Sequence, residues 1–269
     1  MPRIYLSPST QEYNSYITGA GSEEYFMNLL ADAMEPYLLA NTIRFTRNTP
    51  EMTAASSIAQ AARGSYDFYL ALHSNAAAEG AIANYPLFLY RGHDDGSMSA
   101  PGSREMSETL WPYLMSNGID YYTAYSPTNT NIRGDIDFYH AEYSTTLSNG
   151  KTYVGYLGVL KHSVPGFLAE GYFHTYQPAR HRALNKDYCA QEGVRYFRGI
   201  LDYFGLPDEK VGYIMGTVKD SKNRISHSLF NYASGSNDQW FPINGAVVKL
   251  LKDGQEVAEY TVDNNYNRP

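Results

Sequence analysis

One cysteine, Cys189, occurs in 269 residues. A single thiol excludes an intrachain disulfide and any cysteine-rich metal site, and it leaves the redox compartment open. Long apolar runs are also missing. None approaches the roughly 20 residues of a membrane span. Basic clusters are absent: Lys and Arg are scattered along a chain of net charge −7. That argues against a nucleic-acid partner and gives no pull toward acidic polymers. No signal-peptide pattern is visible, since Met1-Pro2-Arg3 runs straight into Ile4-Tyr5-Leu6, which reads as a first strand. The expectation is that the protein stays inside or that a leader is absent from this chain. Histidine is sparse and late, with none before His73. There is no internal repeat and no low-complexity tract.

What is present supports a sizeable core. The chain is 43% hydrophobic and long enough for one large domain plus a small one. Its 26 tyrosines suit either a sugar- or peptide-binding surface or, more simply, strands.

Apolar runs at 4–6, 43–46, 68–72, 86–90, 156–160 and 166–169 read as strands. Ser22 is a good N-cap, with Glu23 and Glu24 in the first turn, where the helix dipole favours acids. Phe26, Leu30, Ala33, Met34, Tyr37 and Leu38 follow at helical spacing, and Pro36 is expected to kink that helix or close it early. Further helices are expected from Thr53 to Ala62, from Met106 to Met115 and from about Lys186 to Phe204. The polar stretch 117–151 reads as a long loop or lid. The alternation of strands and helices predicts an α/β layered domain over 1–206, with a largely parallel sheet flanked by helices. Composition shifts at Gly205-Leu206-Pro207-Asp208. Beyond it, 213–219, 246–251 and 257–262 read as strands, with a turn at Asp253-Gly254, so 207–269 is expected to be a small, incomplete β-sandwich-like module.

The chemistry-bearing stretch is Phe68-Tyr69-Leu70-Ala71-Leu72-His73-Ser74-Asn75. A short apolar strand stops on His73, and ligands of open α/β sheets sit beyond the carboxyl ends of strands. Gly166-Phe167-Leu168-Ala169 likewise runs into Glu170, and a carboxylate there is costly unless paired or working. Parallel strands bring both ends to one edge, where the first helix also begins with Glu24. One His and two carboxylates suit a zinc hydrolase, because imidazole and carboxylate bind zinc at about 2.0–2.2 Å while a second carboxylate acts as base. Glu24 is equally a dipole-favoured surface carboxylate, Asn75 a strand-end turn residue and Arg47 a structural ion-pair partner.

These motifs together, Glu24 with Asn28, Arg47, His73 with Asn75, and Val164-Pro165-Gly166-Phe167-Leu168-Ala169-Glu170-Gly171-Tyr172-Phe173, resemble the zinc-dependent N-acetylmuramoyl-L-alanine amidases of the amidase-3 type over about residues 3–204. The resemblance implies Glu24 and His73 as zinc ligands, Glu170 as catalytic acid/base, and Asn75 and Arg47 as substrate contacts. It also implies cleavage of the amide between N-acetylmuramic acid and L-alanine in peptidoglycan. One departure stands out. The family's first zinc-ligand His follows strand one, where this chain reads Ser7-Pro8-Ser9-Thr10-Gln11, with Thr10 at the expected place. Glu12, His162 and His174 are candidate replacements, and Gln11 offers a weak amide oxygen. The rival reading is a non-catalytic protein that binds muropeptide or glycan on the same fold. The segments at 216–220, 243–250 and 260–264 resemble the carboxypeptidase regulatory-like β-sandwich, a module common on exported proteins, which points to an extracellular or cell-envelope location.

Overall fold

Phe68, Leu70 and Leu72 face one side of a sheet, and Tyr69 and Ala71 face the other; all five are buried. A strand buried on both faces must lie inside a layered α/β structure. The computed structural model describes residues 1–17, 20–78, 81–116, 131–208, 214–227 and 230–262. The central sheet contains β1 (Arg3–Pro8), β2 (Arg44–Arg47), β3 (Phe68–Asn75), β4 (Leu87–Tyr90), β5 (Ile132–Gly134) and β6 (Gly166–Phe173). Their spatial order is β2-β1-β3-β6-β4-β5. Every neighbouring pair is parallel except β6 and β4, which run antiparallel.

Three helices, α1 (Glu23–Ala40), α3 (Ser103–Met115) and α6 (Lys186–Tyr203), cover one face. The other face is covered by α2 (Ala54–Arg63) and a short 3-10 turn, Gly158–Leu160. Two shorter helices, α4 (Asp135–Tyr139) and α5 (Gln177–Ala183), follow β5 and β6. Ser22 caps α1 as expected, its side chain accepting from the Tyr25 backbone N–H. Pro36 does not close α1, which runs on to Ala40. Pro36 and Asp32 lie on the exposed side, so the carbonyl that proline leaves without a donor is on the solvent face of the helix, while Met34 and Leu38 stay buried.

Two expectations change. Tyr156–Leu160 is not a strand, because the Tyr156 and Leu157 N–H groups donate to the Asp135 carboxylate rather than to a ladder. The strand nearby is Thr152–Gly155, which pairs with Tyr143–Thr146. Of the expected 117–151 loop, residues 117–130 lie outside the described residues, and the remainder holds β5, α4 and the first strand of this hairpin.

Among the described residues, the region after 207 forms two separate two-stranded sheets. One pairs β7 (Lys219–Arg224) with β8 (Trp240–Pro242), and the other pairs β9 (Val247–Lys252) with β10 (Gln255–Thr261). Residue 213, where a strand was expected to begin, lies outside the described residues, and the described residues 214–218 form no strand. The β7–β8 part is tied to the layered domain through buried Asp238. Its carboxylate accepts from Tyr176 Oη at 2.9 Å and Arg182 Nη1 at 2.7 Å, with Lys219 Nζ at 3.7 Å. Breaking a buried charge pair costs about 3–5 kcal/mol. Asp238→Ala is therefore expected to release this segment, seen as new limited-proteolysis sites between 219 and 242. An unchanged digestion pattern would contradict the anchoring role.

Candidate functional site at the carboxyl edge of the sheet

Glu170 and His73 are direct register partners on β6 and β3, so their side chains leave the sheet on the same face. The register slips immediately afterwards, with Phe173 opposite Asn75. Such a bulge bends a strand and re-aims its residues, and bulges are common beside functional sites. The Glu170 side chain is buried, and its Oε2 has no hydrogen-bond partner.

The start of α1 completes the group with Glu23 rather than Glu24. Glu23 is 1% exposed, and its Oε1 lies 2.8 Å from His73 Nδ1. The two are close enough to pair by charge, yet Glu23 Oε1 receives no hydrogen bond. The helical phase explains the choice. Glu23 precedes Phe26, Met27 and Leu30 by three, four and seven residues, and all three are buried, so it lies on the inward face. Glu24 is one residue round the helix. It faces Asn28, whose Nδ2 donates to the Glu24 backbone oxygen at 2.7 Å and to its Oε1 at 3.3 Å.

The turn after β1 adds two residues that no motif pointed to strongly. Gln11 Nε2 lies 3.4 Å from His73 Nδ1. Asn14 Nδ2 donates to Gln11 Oε1 at 2.8 Å and to Glu23 Oε2 at 2.7 Å. Tyr13 Oη also donates to Gln11 Oε1, at 3.1 Å. It is thus Gln11, not Thr10, whose side chain reaches His73.

Electrostatics follow from burial and from these pairs. Burial above all, with the Glu23 charge adding to it and His73 only partly offsetting it, pushes the Glu170 carboxyl up to about 8. Burial also raises Glu23, but His73, Asn14 and Ser9 together outweigh it and hold that carboxyl below its usual range. For His73, burial lowers the imidazole, and the Glu23 and Glu170 carboxylates outweigh it upward. The site therefore holds two buried carboxyls against one imidazole.

Arg47 is engaged elsewhere. Its guanidinium binds Asp32 at 2.6 Å, Glu35 at 2.8 Å and the Asn28 backbone oxygen at 3.0 Å, which ties β2 to the outer side of α1. Asn75 is partly exposed at the edge; its Oδ1 accepts from the Ala76 N–H at 2.8 Å. Glu12 is exposed. His174 turns to the other face, where Nδ1 meets Ser74 Oγ at 2.9 Å and the ring stacks on Tyr16. His162 is buried against Tyr69, ring centroids 4.1 Å apart, toward the start of β3 and away from His73 at its end. Burial, with the Arg91 charge second, pushes its imidazole down to about 3, against an ordinary 6.5. A base depressed in the fold takes up its proton first in the unfolded chain. Its contribution to stability is complete above about 6.5 and is lost as pH falls toward 3. Melts from pH 7 to 4 are expected to fall less steeply for His162→Phe than for the wild type; parallel curves would contradict this.

One wall of the site comes from α4 and the segment after the 143–155 hairpin. Buried Asp135 accepts from the Gly92, Tyr156 and Leu157 N–H groups, each at 2.8 Å. This pins Tyr156 against Tyr139, rings stacked with centroids 3.9 Å apart. Burial, and then the Glu170 charge, raise the Tyr139 hydroxyl.

The layered sheet has the fold of solved N-acetylmuramoyl-L-alanine amidases. The chain is similar to amidase AmiC2 of Nostoc punctiforme, at 15% identity and TM-score 0.57, covering 76% of this chain and 97% of that one. It is similar to the catalytic domain of the amidase CwlV from Bacillus (Paenibacillus) polymyxa var. colistinus, at 13% identity and TM-score 0.58, covering 77% and 100%. It is likewise similar to an amidase from Clostridium difficile 630, at 17% identity and TM-score 0.57, covering 76% and 97%. No known family profile matches the chain, and no curated protein matches it by sequence. No helix among the described residues is long and apolar enough to cross a membrane.

Among the described residues, no group of three or more His, Cys, Asp or Glu side chains is placed to hold a metal ion. The local chemistry nevertheless fits a divalent cation. Glu23 Oε1 and Glu170 Oε2 are buried carboxylate oxygens without donors, and an imidazole nitrogen stands beside the first. Imidazole nitrogen and carboxylate oxygen are zinc's usual ligands.

Proposed function

We propose that this chain is a peptidoglycan hydrolase that cleaves the amide between N-acetylmuramic acid and the L-alanine of the stem peptide by metal-activated water. The observation that carries the reading is the meeting of Glu23, His73 and Glu170 at one sheet edge, with two buried carboxylate oxygens left without donors. Glu23 and His73 would hold zinc. Bound zinc lowers the pKa of water toward about 7 and polarises a carbonyl. Glu170 takes the proton from the attacking water and delivers it to the departing amine. A buried carboxyl of this kind is suited to such general acid/base work. Tyr139 and Tyr156 form an apolar wall that keeps bulk water from Glu170 on that side. Asn75, partly exposed at the rim, is the proposed substrate contact. An extracellular or cell-envelope location follows from the substrate.

The test is digestion of purified peptidoglycan by the zinc-supplemented protein, with mass spectrometry of the products. Free stem peptides with an L-alanine amino terminus, and glycan ends that keep the lactyl group, are expected. Co-sedimentation with peptidoglycan and no release would overturn the hydrolase reading and leave a glycan- or muropeptide-binding protein on the same fold.

A further inference from the structure

We infer that the cleft between the loop after β3 and the segment after β7 is a subsite for the stem peptide, and that Arg180 on α5 binds a carboxylate of that peptide. The inference rests on the hydrolase reading for the identity of the ligand. The cleft holds about 450 Å³, within the range of about 300–1,000 Å³ usual for ligand sites. Ile82 forms one side. Residues 225–227 and 230–232 form the other, where Ile225, Phe230 and Tyr232 are the apolar part and Ser226 and Asn231 are exposed polar groups.

Contacts on both walls fix its position. Asn84 Oδ1 accepts from the Phe173 N–H at 2.8 Å, and the Ala77 N–H donates to Thr175 Oγ1 at 2.9 Å, so the loop that carries Ile82 lies across the end of β6. Phe173 is three residues past Glu170, at most about 11 Å of extended chain. The opposite wall is held to α5, the helix that follows β6. The Ala233 N–H donates to Tyr176 Oη at 3.1 Å, the Asn231 N–H donates to Gln177 Oε1, and His181 meets Phe230 edge to face with centroids 5.2 Å apart. The cleft therefore lies at the same sheet edge as Glu170, within reach of a short peptide attached at the scissile bond.

Charge selects the ligand. α5 carries Arg180, His181 and Arg182 and no acid. Arg182 is taken by Asp238. The Arg180 guanidinium has no hydrogen-bond or ion-pair partner among the described residues, and its Nε is buried. Burial alone pulls that guanidinium below its ordinary value. Arg180 and His181 stand three and four residues after Gln177, so all three share the side of α5 that meets the cleft wall. A half-buried guanidinium without a counter-charge is costly, and a ligand carboxylate offsets that cost with two parallel hydrogen bonds. A stem peptide carries free carboxylates, whereas the hydroxyl and acetamido groups of the glycan are neutral. Arg180 thus takes the role that the family resemblance implied for Arg47, which is bound to Asp32 and Glu35.

The experiment is calorimetric titration of the protein with the synthetic tripeptide L-alanyl-γ-D-glutamyl-L-lysine, and with the same peptide amidated at its carboxyls. Wild type, Arg180→Gln, Arg180→Lys and Ser226→Trp are compared, with circular dichroism to verify folding. Ser226 is exposed, so a large side chain there obstructs the cleft without entering the core. Wild type is expected to bind one acidic peptide per chain. Arg180→Gln and Ser226→Trp should each weaken it by about tenfold or more, the first by removing a charge-assisted bond. Arg180→Lys should keep part of the affinity, and the amidated peptide should bind wild type as weakly as the acidic one binds Arg180→Gln. A wild type that does not bind the acidic peptide, or unchanged binding in Arg180→Gln or in Ser226→Trp, would overturn the subsite and leave the hydrolase reading to the peptidoglycan digestion. Binding that is lost in Arg180→Gln, beside a wild type that releases no stem peptide, would uphold the subsite and overturn the hydrolase reading instead.

Discussion

Glu170→Gln is expected to lower stem-peptide release about 10²- to 10⁴-fold, the usual worth of a positioned acid/base, and to raise the melting temperature. Both effects have one cause. Glu170 sits in a buried position where Oε2 has no partner and Glu23 is a second carboxyl nearby. Holding an acid there costs stability, because burial disfavours its charge and nothing on Oε2 compensates. Glutamine keeps the shape and cannot ionise, so the cost falls while proton transfer is lost. In a domain of this size each kcal/mol regained is worth about 2–4 °C. Metal content should not change, since Glu23 and His73 remain. Activity retained in Glu170→Gln would remove this residue from the chemistry. A lower melting temperature would show that the carboxyl is stabilising.

The second large effect separates two adjacent residues. Glu23→Gln is expected to reduce zinc affinity and cleavage by more than about 100-fold. Loss of an outer residue that merely orients a metal ligand typically costs about 10- to 100-fold, and Glu23 is argued to be a ligand itself. Removal of its charge also leaves His73, 2.8 Å away and only 11% exposed, without its closest carboxylate. Glu24→Gln should change either quantity by less than about threefold. Its side chain is partly exposed and bonded to Asn28, on the network that Arg47 shares with Asp32 and Glu35. Metal titration and muropeptide digestion on the two variants provide the comparison. Equal effects would mean that the start of α1 contributes only a diffuse negative field.

The contrast between Glu23 and Glu24 also shows how far the sequence reaches. The apolar run 68–72 ending on His73, the run 166–169 ending on Glu170 and the Ser22 cap are local patterns, and each has its structural counterpart. The motif resemblance placed a zinc ligand at Glu24. The helical phase from Phe26, Met27 and Leu30 back to Glu23 was available in the same residues and points the other way. The link from Gln11 through Asn14 to Glu23 was out of reach, because it depends on how the turn after β1 folds over the helix start. The Tyr139–Tyr156 wall was hidden for a similar reason. A buried carboxylate, Asp135, takes up the backbone donors of 156 and 157, so a stretch with strand-like composition leaves the ladder. Periodicity reports burial well. It does not report which side chain will capture a backbone N–H from a distant segment.

The most direct test of the central claim is an anomalous difference map at the zinc edge, from crystals of the wild-type protein grown with zinc. The account predicts one strong peak, bonded to His73 Nδ1 and Glu23 Oε1, with Glu170 alongside. A map without density between His73 and Glu23, or with its peak at other residues, would contradict it.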